Sequence, residues 1–369
     1  MNPPPSNDQR PATSTEFFAY VLPQFHRDTN NDSAWGPGFS DWVTTLSARP
    51  LYPGHRQPKI PTALGLYDLS NPETVRQISR FARELGFSSL AIYHYWFSGH
   101  RPLALGVDTL LQHSELPVFL CWVNESWKRT WFSSDSSVIL EQRYDDADTR
   151  GHTGFLADAF LHANYFRVDG KPLFGVYRDA DDPELRRFLL GLESTHDASL
   201  LGFKHAPDDP GPGWAHFVTP FPSSYYVRSL VKPGRLQKLL PIPAKATKES
   251  LIRKIAKRVR TSKGPRRLQL ALPEVLRDQT AQRRIDSRFC PGILVGWDNT
   301  PRNAKAGTVM EGLTPEVVEG WTRASGSSGA RLVGVFALNE WAEGSYFEPD
   351  AWNDASYPDA IRSGILGGP

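Results

Sequence analysis

Two glutamates stand three residues apart in the segment ALNEWAEGS at residues 337–345: Glu340 and Glu343, with Trp341 between them. The segment begins at the end of the apolar run 332–338, so the acids come at the exit of a predicted buried strand. Chemistry at a glycosidic bond needs one acid that protonates the departing oxygen and a second carboxylate at or near the anomeric carbon. Two close carboxylates in a partly apolar setting repel each other, which raises the pKa of one and suits it to donating a proton. In the alternative interpretation, one of them only caps the following turn.

A further candidate acid, Glu125, follows Asn124 after the apolar run at 118–123. In a loop at the end of a strand, its carboxylate could orient a sugar hydroxyl or act as an acid itself. The alternative is a structural ion pair with a basic neighbour, Lys128 or Arg129.

Eight apolar runs are predicted as strands, because most of them lack polar alternation, as expected of parallel strands that are covered on both faces. The runs lie at 17–22, 89–97, 118–123, 173–177, 200–203, 216–221, 293–297 and 332–338. Helical patterns separate several of them, and this alternation predicts an α/β fold: a single-domain (β/α)8 TIM barrel over 16–355. A doubly wound open sheet is the alternative, although no Gly-rich phosphate loop follows the first strand.

One helix is predicted in detail, because Asn71 supplies an N-cap and Pro72 fits the first helical position. Gly86 marks its end. Its apolar face consists of Val75, Ile78, Phe81, Ala82 and Leu85. Other helical patterns cover 153–166, 183–192 and 314–324.

In a barrel of this kind, the residues just past the carboxyl end of each strand face the active site. Carboxylates, amides, imidazoles and indoles gather at that predicted rim, which favours a site over packing alone. Gln24, Phe25, Tyr177 and His205 follow strands in this way. The residues predicted to bind substrate are His26, Tyr93, His94, Tyr95, Trp96, Trp122, Asn124, Glu125, Trp127, Trp297, Asp298, Asn299, Asn339 and Trp341.

Neither a metal nor a cofactor is predicted. The histidines lack the HExxH or other paired spacing of a metal site, so each is interpreted as a hydrogen-bonded residue. The chain has no GxSxG elbow, no P-loop and no GxGxxG after a strand. It has two cysteines, Cys121 and Cys290, which exclude a disulfide framework and a zinc site.

The composition, with 40% apolar and 22% charged residues, is that of a soluble globular protein. Trp and Tyr often line sugar sites, and the chain has 11 Trp and 12 Tyr, although large core residues are the simpler explanation. No apolar run reaches the ~18 residues that span a bilayer, and the N-terminus has no apolar signal region. A cytoplasmic protein is predicted, with a disordered tail at 1–15 and a C-terminal tail at 356–369.

Residues 228–288 are predicted as a basic insertion before the seventh strand. They hold 18 Lys and Arg against 4 Asp and Glu, while the whole chain has a net charge of +2. A basic amphipathic helix is predicted at 248–260, which would make a peripheral contact with an anionic membrane at the inner face or with a lipid-linked glycan. The alternative is a helix that docks on its own barrel. A nucleic-acid partner is not predicted, since the rest of the chain is acidic and no binding motif occurs.

Eight ordered blocks resemble the glycoside hydrolase family 99-like domain, which includes WbsX-type glycosyltransferases of bacterial surface-polysaccharide clusters. The blocks are LPQFH (22–26), WGPGFSDW (35–42), RPLYPGHRQPKIP (49–61), LGLYDL (64–69), YHYWF (93–97), LCWVNESW (120–127), GWDNTPR (296–302) and NEWAEGSYFEPD (339–350). The resemblance covers about 17–350. Family members often read AWNEWAEG, where this chain has Ala337 and Leu338 before Asn339.

The resemblance implies a (β/α)8 barrel and, as in hydrolases of the family, retaining cleavage within α-mannan chains without an enzyme nucleophile. It implies that Glu340 is the base that deprotonates the sugar's own 2-hydroxyl, which attacks the anomeric carbon to give a 1,2-anhydro sugar. Glu343 would then be the acid/base that protonates the leaving group.

The function predicted is that of a carbohydrate-active enzyme on glycosidic bonds of a bacterial surface polysaccharide or its lipid-linked precursor. Two alternatives stay open: a glycosyltransferase in O-antigen or exopolysaccharide assembly, and a non-catalytic glycan-binding barrel. Identity of the sugar and linkage is not encoded in these motifs.

Overall fold

The computed structural model describes residues 15–128, 137–178, 182–203, 216–218 and 264–367. Six features of the sequence prediction lie wholly or partly outside these ranges. They are the N-terminal tail except Thr15, Arg129, His205, the end of the run 216–221, the basic insertion up to residue 263 with its helix at 248–260, and the last two residues of the C-terminal tail.

Each predicted apolar run overlaps a strand. The strands are β1 (Glu16–Val21), β2 (Ser89–His94), β3 (Val118–Trp122), β4 (Trp127–Lys128), β5 (Val138–Leu140), β6 (Arg167–Val168), β7 (Lys171–Val176), β8 (Ser199–Phe203), β9 (His216–Val218), β10 (Arg266–Gln269), β11 (Phe289–Cys290), β12 (Gly292–Leu294), β13 (Thr308–Glu311), β14 (Leu332–Phe336), β15 (Asn339–Glu340) and β16 (Ser345–Tyr346).

The main sheet has the strand order β11-β9-β8-β7-β3-β2-β1-β14-β12, and every neighbouring pair in it is parallel. This central parallel sheet confirms the predicted α/β class. The first and last strands of that order, β11 and β12, are separated in the chain by Pro291 alone. The first half of the segment 289–294 therefore pairs with β9 and the second half with β14.

The strands are continuous apolar runs because both faces of the sheet are covered. Phe18 and Phe119 are fully buried, and their rings meet edge to face at 5.3 Å between centroids. Gly334 lies opposite Phe18 in the parallel register. A Cβ at this glycine would lie 2.8 Å from the Phe18 ring, so the absence of a side chain makes room for the aromatic pair.

Helices cover the sheet. They are α1 (Thr29–Trp35), α2 (Asp41–Leu46), α3 (Pro72–Glu84), α4 (Ala104–His113), α5 (Asp146–Phe160), α6 (Pro183–His196), α7 (Leu272–Ile285), α8 (Thr300–Asn303), α9 (Pro315–Gly326) and α10 (Ser356–Leu366), with 3-10 turns at Ala304–Ala306 and Trp341–Glu343. None of the helices in the described ranges is long and apolar enough to cross a bilayer.

Capping side chains fix where the helices start, which agrees with the prediction for α3 and corrects it for α5. The Asn71 side chain accepts the Glu73 amide at 2.9 Å, which fixes the start of α3. The helix predicted at 153–166 begins earlier, because Asp145 accepts the amides of Ala147 and Asp148 and so caps α5 seven residues upstream of that prediction.

Two segments outside the predicted strand and helix pattern are folded against it. The predicted C-terminal tail contains α10, where Ile361 is buried and a Cβ on Gly364 would lie 2.6 Å from Thr322 of α9. The end of the basic insertion contains β10 and α7, and Gln279 of α7 donates to the Gly292 carbonyl at 2.7 Å.

Candidate active site

A cavity of about 900 Å³ lies past the carboxyl ends of the sheet strands. Its wall is made by residues that follow β1, β2, β3, β7, β12 and β14 and by the loops beyond them. The lining residues are Leu22, Gln24, Asn31, Trp35, Tyr93, Tyr95, Val123, Asn124, Glu125, Ser126, Trp127, Lys128, Ile139, Gln142, Tyr144, Tyr177, Arg178, Trp297, Arg302, Phe336, Glu340 and Glu343. Cavities of this size are typical of small-molecule and glycan sites.

Glu340 and Glu343 share one arginine at the cavity wall. Arg302 Nη2 lies 3.4 Å from Glu340 Oε2, and Arg302 Nε lies 3.4 Å from Glu343 Oε1. The same Nη2 lies 3.2 Å from Oδ2 of Asp41. The side chains of Glu340 and Glu343 are 7% and 25% exposed, so Glu343 is the more accessible of the two acids.

Burial makes both glutamates weaker acids than glutamate in water. Burial and the Glu343 charge raise the pKa of Glu340 well above its ordinary value, against the opposing effect of Arg302. Burial also raises the pKa of Glu343, again against Arg302. Two neighbouring carboxyl groups with raised pKa values hold a proton to a higher pH than glutamate in water does, which favours general acid catalysis.

Two glycines let the turn with the acids approach the end of β12. Gly344 has φ +63°, and a Cβ there would lie 2.7 Å from the Asp298 Cβ. A Cβ on Gly296 would lie 2.3 Å from the Gly344 carbonyl oxygen. The Asp298 amide donates to the Glu343 carbonyl at 2.6 Å, so the backbone of Glu343 is fixed to the sequence GWDN.

Asp298, predicted to bind substrate, does not line the cavity. Its carboxylate accepts from His55 at 2.8 Å, from Gln57 at 2.6 Å and from the Thr300 hydroxyl at 2.6 Å. Burial opposes ionisation of Asp298, but the hydrogen bonds from His55, Thr300 and Gln57 outweigh it and lower its pKa. Asp298 thus fixes the start of α8, the helix that carries Arg302.

The neighbouring Asn299 is also structural. Its side chain accepts the Thr308 amide at 2.7 Å and it does not line the cavity. Of the predicted WDN triplet, the cavity is lined by Trp297 alone. Asp298 and Asn299 lie past the end of β12, where their side chains hydrogen-bond to Thr300 and to the Thr308 amide instead of facing the cavity.

Two residues at the end of β2 and just after it, His94 and Trp96, also lie outside the cavity lining although they were predicted to bind substrate. Tyr93 and Tyr95 line the cavity, whereas His94 and Trp96 point to α5. His94 Nε2 lies 3.0 Å from His152 Nε2, and the Trp96 indole donates to Asp148 at 2.8 Å. Burial lowers the pKa of His94 well below its ordinary value, so it is a neutral core histidine.

Four more predicted residues lie in the core, outside the cavity lining. Trp122 is 1% exposed and packs edge to face on His152. His26 Nδ1 contacts the Pro23 carbonyl at 2.8 Å. Asn339 clamps the strand end Leu22, because its side chain accepts the Leu22 amide at 2.8 Å and donates to the Leu22 carbonyl at 3.0 Å.

Trp341, the fourth, points away from the two acids that flank it. It is fully buried, stacks on Tyr346 at 3.8 Å between ring centroids and donates to Glu348 at 3.2 Å. Tyr67 donates to the same Glu348 oxygen at 2.6 Å. The 3-10 turn Trp341–Glu343 places the indole behind the acids, where it supports the turn instead of contacting a ligand.

The residues that follow β3 have two roles: Asn124 joins two strand ends, and Glu125 and Trp127 line the cavity. Asn124 accepts the Arg178 amide at 2.7 Å and donates to the Arg178 carbonyl at 2.9 Å, which joins the ends of β3 and β7. Glu125 forms an ion pair with Arg178. The alternative interpretation had named Lys128 or Arg129 as its basic partner, and Arg129 lies outside the described residues. Trp127 lines the cavity and packs edge to face on Tyr95, at 5.0 Å between ring centroids.

Asp41 and Arg302 were not among the predicted site residues. Both belong to quoted sequence blocks, WGPGFSDW and GWDNTPR, but 261 positions separate them in the chain. Trp35, Tyr144 and Gln142 also line the cavity without having been predicted. Within the described ranges, no three His, Cys, Asp or Glu side chains are grouped as a metal ion would need.

The chain was compared with known protein families and structures. A family model described as "Glycosyltransferase WbsX" matches residues 17–361. "Uncharacterized protein WxcX" of Xanthomonas campestris pv. campestris is 30% identical over 387 aligned residues. The alignment includes 97% of this chain and 50% of that protein, so the chain spans about half the length of this curated relative.

Two solved structures share the fold. The GH99 endo-alpha-mannosidase from Bacteroides thetaiotaomicron superposes with a TM-score of 0.55 at 16% identity, covering 95% of this chain and 96% of that one. A "Glycoside hydrolase-like protein" superposes with a TM-score of 0.56 at 11% identity, covering 99% and 97%. At these identities the likeness concerns the fold.

Proposed function

The chain belongs to the WbsX glycosyltransferase family, and from that premise we propose that it is a carbohydrate-active enzyme on glycosidic bonds of a bacterial surface polysaccharide or its precursor. One observation carries the proposal. Glu340 and Glu343 project from one turn, which the hydrogen bond from Asp298 fixes, into a cavity of about 900 Å³ that aromatic side chains line. Flat aromatic faces in a cavity with paired carboxylates favour a sugar ring as the ligand.

The fold proposed for this site is a closed (β/α)8 barrel. Its support is the segment Phe289–Leu294, whose two halves pair with β9 and β14 at opposite ends of the strand order. Closure would place every strand end around one cavity, as the barrel architecture requires. The similarity in fold to the GH99 endo-alpha-mannosidase agrees with this arrangement.

For the reaction, we propose retaining chemistry in which the substrate supplies the nucleophile. Glu340 accepts the proton of the sugar 2-hydroxyl while that oxygen forms a bond to the anomeric carbon. The bond from the anomeric carbon to the leaving oxygen breaks, and Glu343 gives that oxygen its proton. Water then adds to the anomeric carbon while the bond from that carbon to the 2-oxygen breaks. Glu343 removes a proton from this water, and Glu340 returns its proton to the 2-oxygen. The greater exposure of Glu343 supports its place beside the leaving group.

Transfer is the second candidate function, and the family description favours it. The same 1,2-anhydro sugar can be opened by a sugar hydroxyl in place of water, so hydrolysis and transfer differ only in the acceptor. Trp35 and Trp127 line the cavity as aromatic surfaces on which an acceptor sugar could stack. A lipid-linked substrate, membrane contact through 248–260 and a cytoplasmic location remain predictions from the sequence.

The experiment incubates the full chain with α-mannan oligosaccharides and with lipid-linked and free surface-polysaccharide fragments, in ¹⁸O-water, and follows products by mass spectrometry. Hydrolysis puts ¹⁸O at the new reducing end, whereas transfer gives longer products without it. Glu340→Gln and Glu343→Gln should each lower turnover by about 10²-fold or more. The control is Glu274→Gln, an exposed acid on α7 that pairs with Arg277.

Full turnover in both acid variants would refute the proposal. Glycan binding that survives in both variants, with no product from any substrate, would instead identify a glycan-binding barrel.

A further inference from the structure

Asp41 and Arg302 form a buried ion pair beside the two candidate catalytic acids. We propose that this ion pair is a positioning device that leaves one proton shared by Glu340 and Glu343 in the free protein. The pair would then contain one acid and one base before any substrate binds. The proposal concerns the free protein, and only its catalytic consequence rests on the proposed function.

The geometry places three carboxylates around one guanidinium. Arg302 offers Nη2 to both Asp41 and Glu340, at 3.2 and 3.4 Å, and Nε to Glu343 at 3.4 Å. The guanidinium is planar and its donors are rigidly arranged, so its contacts fix where the two glutamates lie relative to each other. The side chains of Arg302 and Asp41 are 3% and 0% exposed, so water cannot take over these contacts.

The buried cluster of Asp41, Glu340, Glu343 and Arg302 has excess negative charge, which favours uptake of a proton. Four ionised groups would give this buried cluster a net charge of −2, since Arg302 stays positive under all ordinary conditions. Burying uncompensated charge is costly, and taking up a proton removes one negative charge. Burial raises the pKa of Asp41 as well, but Arg302 and the amide of Ala342 oppose that rise. Glu340 faces the charge of Glu343 in addition to its burial, so the proposal places the proton on the glutamates.

Among the described residues, three phenols also face the cluster. Tyr93, near the end of β2, and Tyr95, just after it, face Glu340, and Tyr177, which follows β7, faces Glu343. Burial raises the pKa of each phenol, to about 12 for Tyr177, so they are neutral. The four charged groups therefore decide the charge of the site.

The charge of Asp41 controls how strongly Arg302 acts on the two glutamates. It neutralises Arg302, so the guanidinium does not pull both glutamates into the ionised form. In Asp41→Asn, the full positive charge would act on Glu340 and Glu343, and the shared proton should dissociate at a pH lower by about 1 unit or more. In Arg302→Gln, the glutamates lose the charge that favours their ionised form, so they should keep the shared proton to a higher pH than in the wild type. Arg302→Lys keeps the charge and should shift the titration less than Arg302→Gln.

The test is an infrared titration of the full chain without substrate, which measures the absorption of protonated carboxyl groups against pH. All variants carry Glu348→Gln, because Glu348 has its own pKa raised to about 8 and would overlap. We expect one protonated carboxyl group at pH 7 that is absent in Glu340→Gln and kept in Glu274→Gln. Circular dichroism at each pH checks that the variants are folded.

Two results would overturn the inference: the same protonated carboxyl absorption at pH 7 with and without Glu340, or a titration in Asp41→Asn that is unchanged or shifted upward. If Asp41→Asn does not fold, the comparison of Arg302→Lys with Arg302→Gln decides, and equal titrations in these two would overturn it. Since no glycan is present, this outcome is independent of whether the protein turns over any glycan. Once a substrate is known, the alkaline limb of the kcat/KM profile should move down in Asp41→Asn together with the infrared titration.

Discussion

The backbone amide of Asp298 donates a 2.6 Å hydrogen bond to the carbonyl oxygen of Glu343. This contact joins the turn that holds the acids to the strand end that holds α8 and Arg302. The carboxylates and their arginine are therefore positioned by two backbone segments joined at this hydrogen bond, whose close approach depends on glycine at positions 296 and 344.

Gly344→Ala should move Glu343 and lower turnover. A Cβ there meets Asp298 at 2.7 Å in a left-handed conformation with φ +63°, so both crowding and backbone strain oppose it. The control is Gly329→Ala, which has φ +71° but nothing within 4 Å of the new Cβ. Backbone strain alone costs about 1–2 kcal/mol, and Gly344→Ala should exceed the control in denaturant unfolding. Equal losses of stability and full activity in both variants would contradict the role given to Gly344.

Glu340→Gln should lower activity and raise stability at pH 8. Burial raises the pKa of Glu340, so the folded state binds more protons than the unfolded state above the ordinary glutamate pKa. Stability therefore falls as pH rises through this range, and a neutral amide avoids that loss. Urea unfolding at pH 4 and pH 8 measures it, with Glu274→Gln expected to stay within about 0.5 kcal/mol of wild type. A variant less stable than wild type at pH 8 would argue that Glu340 is ionised and well compensated.

Glu348→Gln should flatten the dependence of stability on pH. Burial raises the pKa of Glu348 from 4.5 to about 8, against hydrogen bonds from Tyr67 and Trp341 that favour the ionised form. Glu348 should make the wild type lose on the order of 3 to 5 kcal/mol of stability as pH rises from about 4.5 to about 8, and the variant should lack this part of the loss. The difference between the two unfolding free energies, measured from pH 4 to pH 9, tests this. Parallel curves would show that Glu348 is already ionised.

Trp127→Ala should weaken glycan binding by up to about tenfold, since an aromatic contact contributes about 0.5–1.5 kcal/mol. Binding is measured by calorimetry in a Glu340→Gln background, where turnover does not consume the ligand. The matched control is Trp352→Ala, because Trp352 is 47% exposed and does not line the cavity. Loss of affinity in both variants alike would place the glycan elsewhere.

The α/β class and the rim of the site were predictable from the sequence for a local reason. Continuous apolar runs such as 118–123 mark buried strands, and the residues that follow them, including Tyr95, Trp127 and Glu340, line the cavity. Local pattern does not say which of two consecutive residues faces inward. His94 and Trp96 were therefore placed in the site with Tyr95, although α5 covers them.

The ion pair beneath the acids was not predictable in the same way. Asp41 begins a short helix of six residues and Arg302 lies in one of four, and neither has a motif of its own that indicates a buried charge. Their contact arises only when loops far apart in the chain fold over the same strand ends. Trp341 was predicted to bind substrate, and for a related reason the sequence does not reveal that its ring faces the core, because only the 3-10 turn decides its direction.

The cavity wall divides into two parts with different origins. The acids stand on a backbone turn fixed to the sheet, whereas Trp35, Trp127, Gln142 and Arg178 come from separate loops and strand ends around the opening. Grafting one of these loops from a relative would leave the acid-bearing turn untouched and change the shape of the opening. Under the proposed function, sugar preference would therefore diversify by loop exchange while Glu340 and Glu343 stay in place.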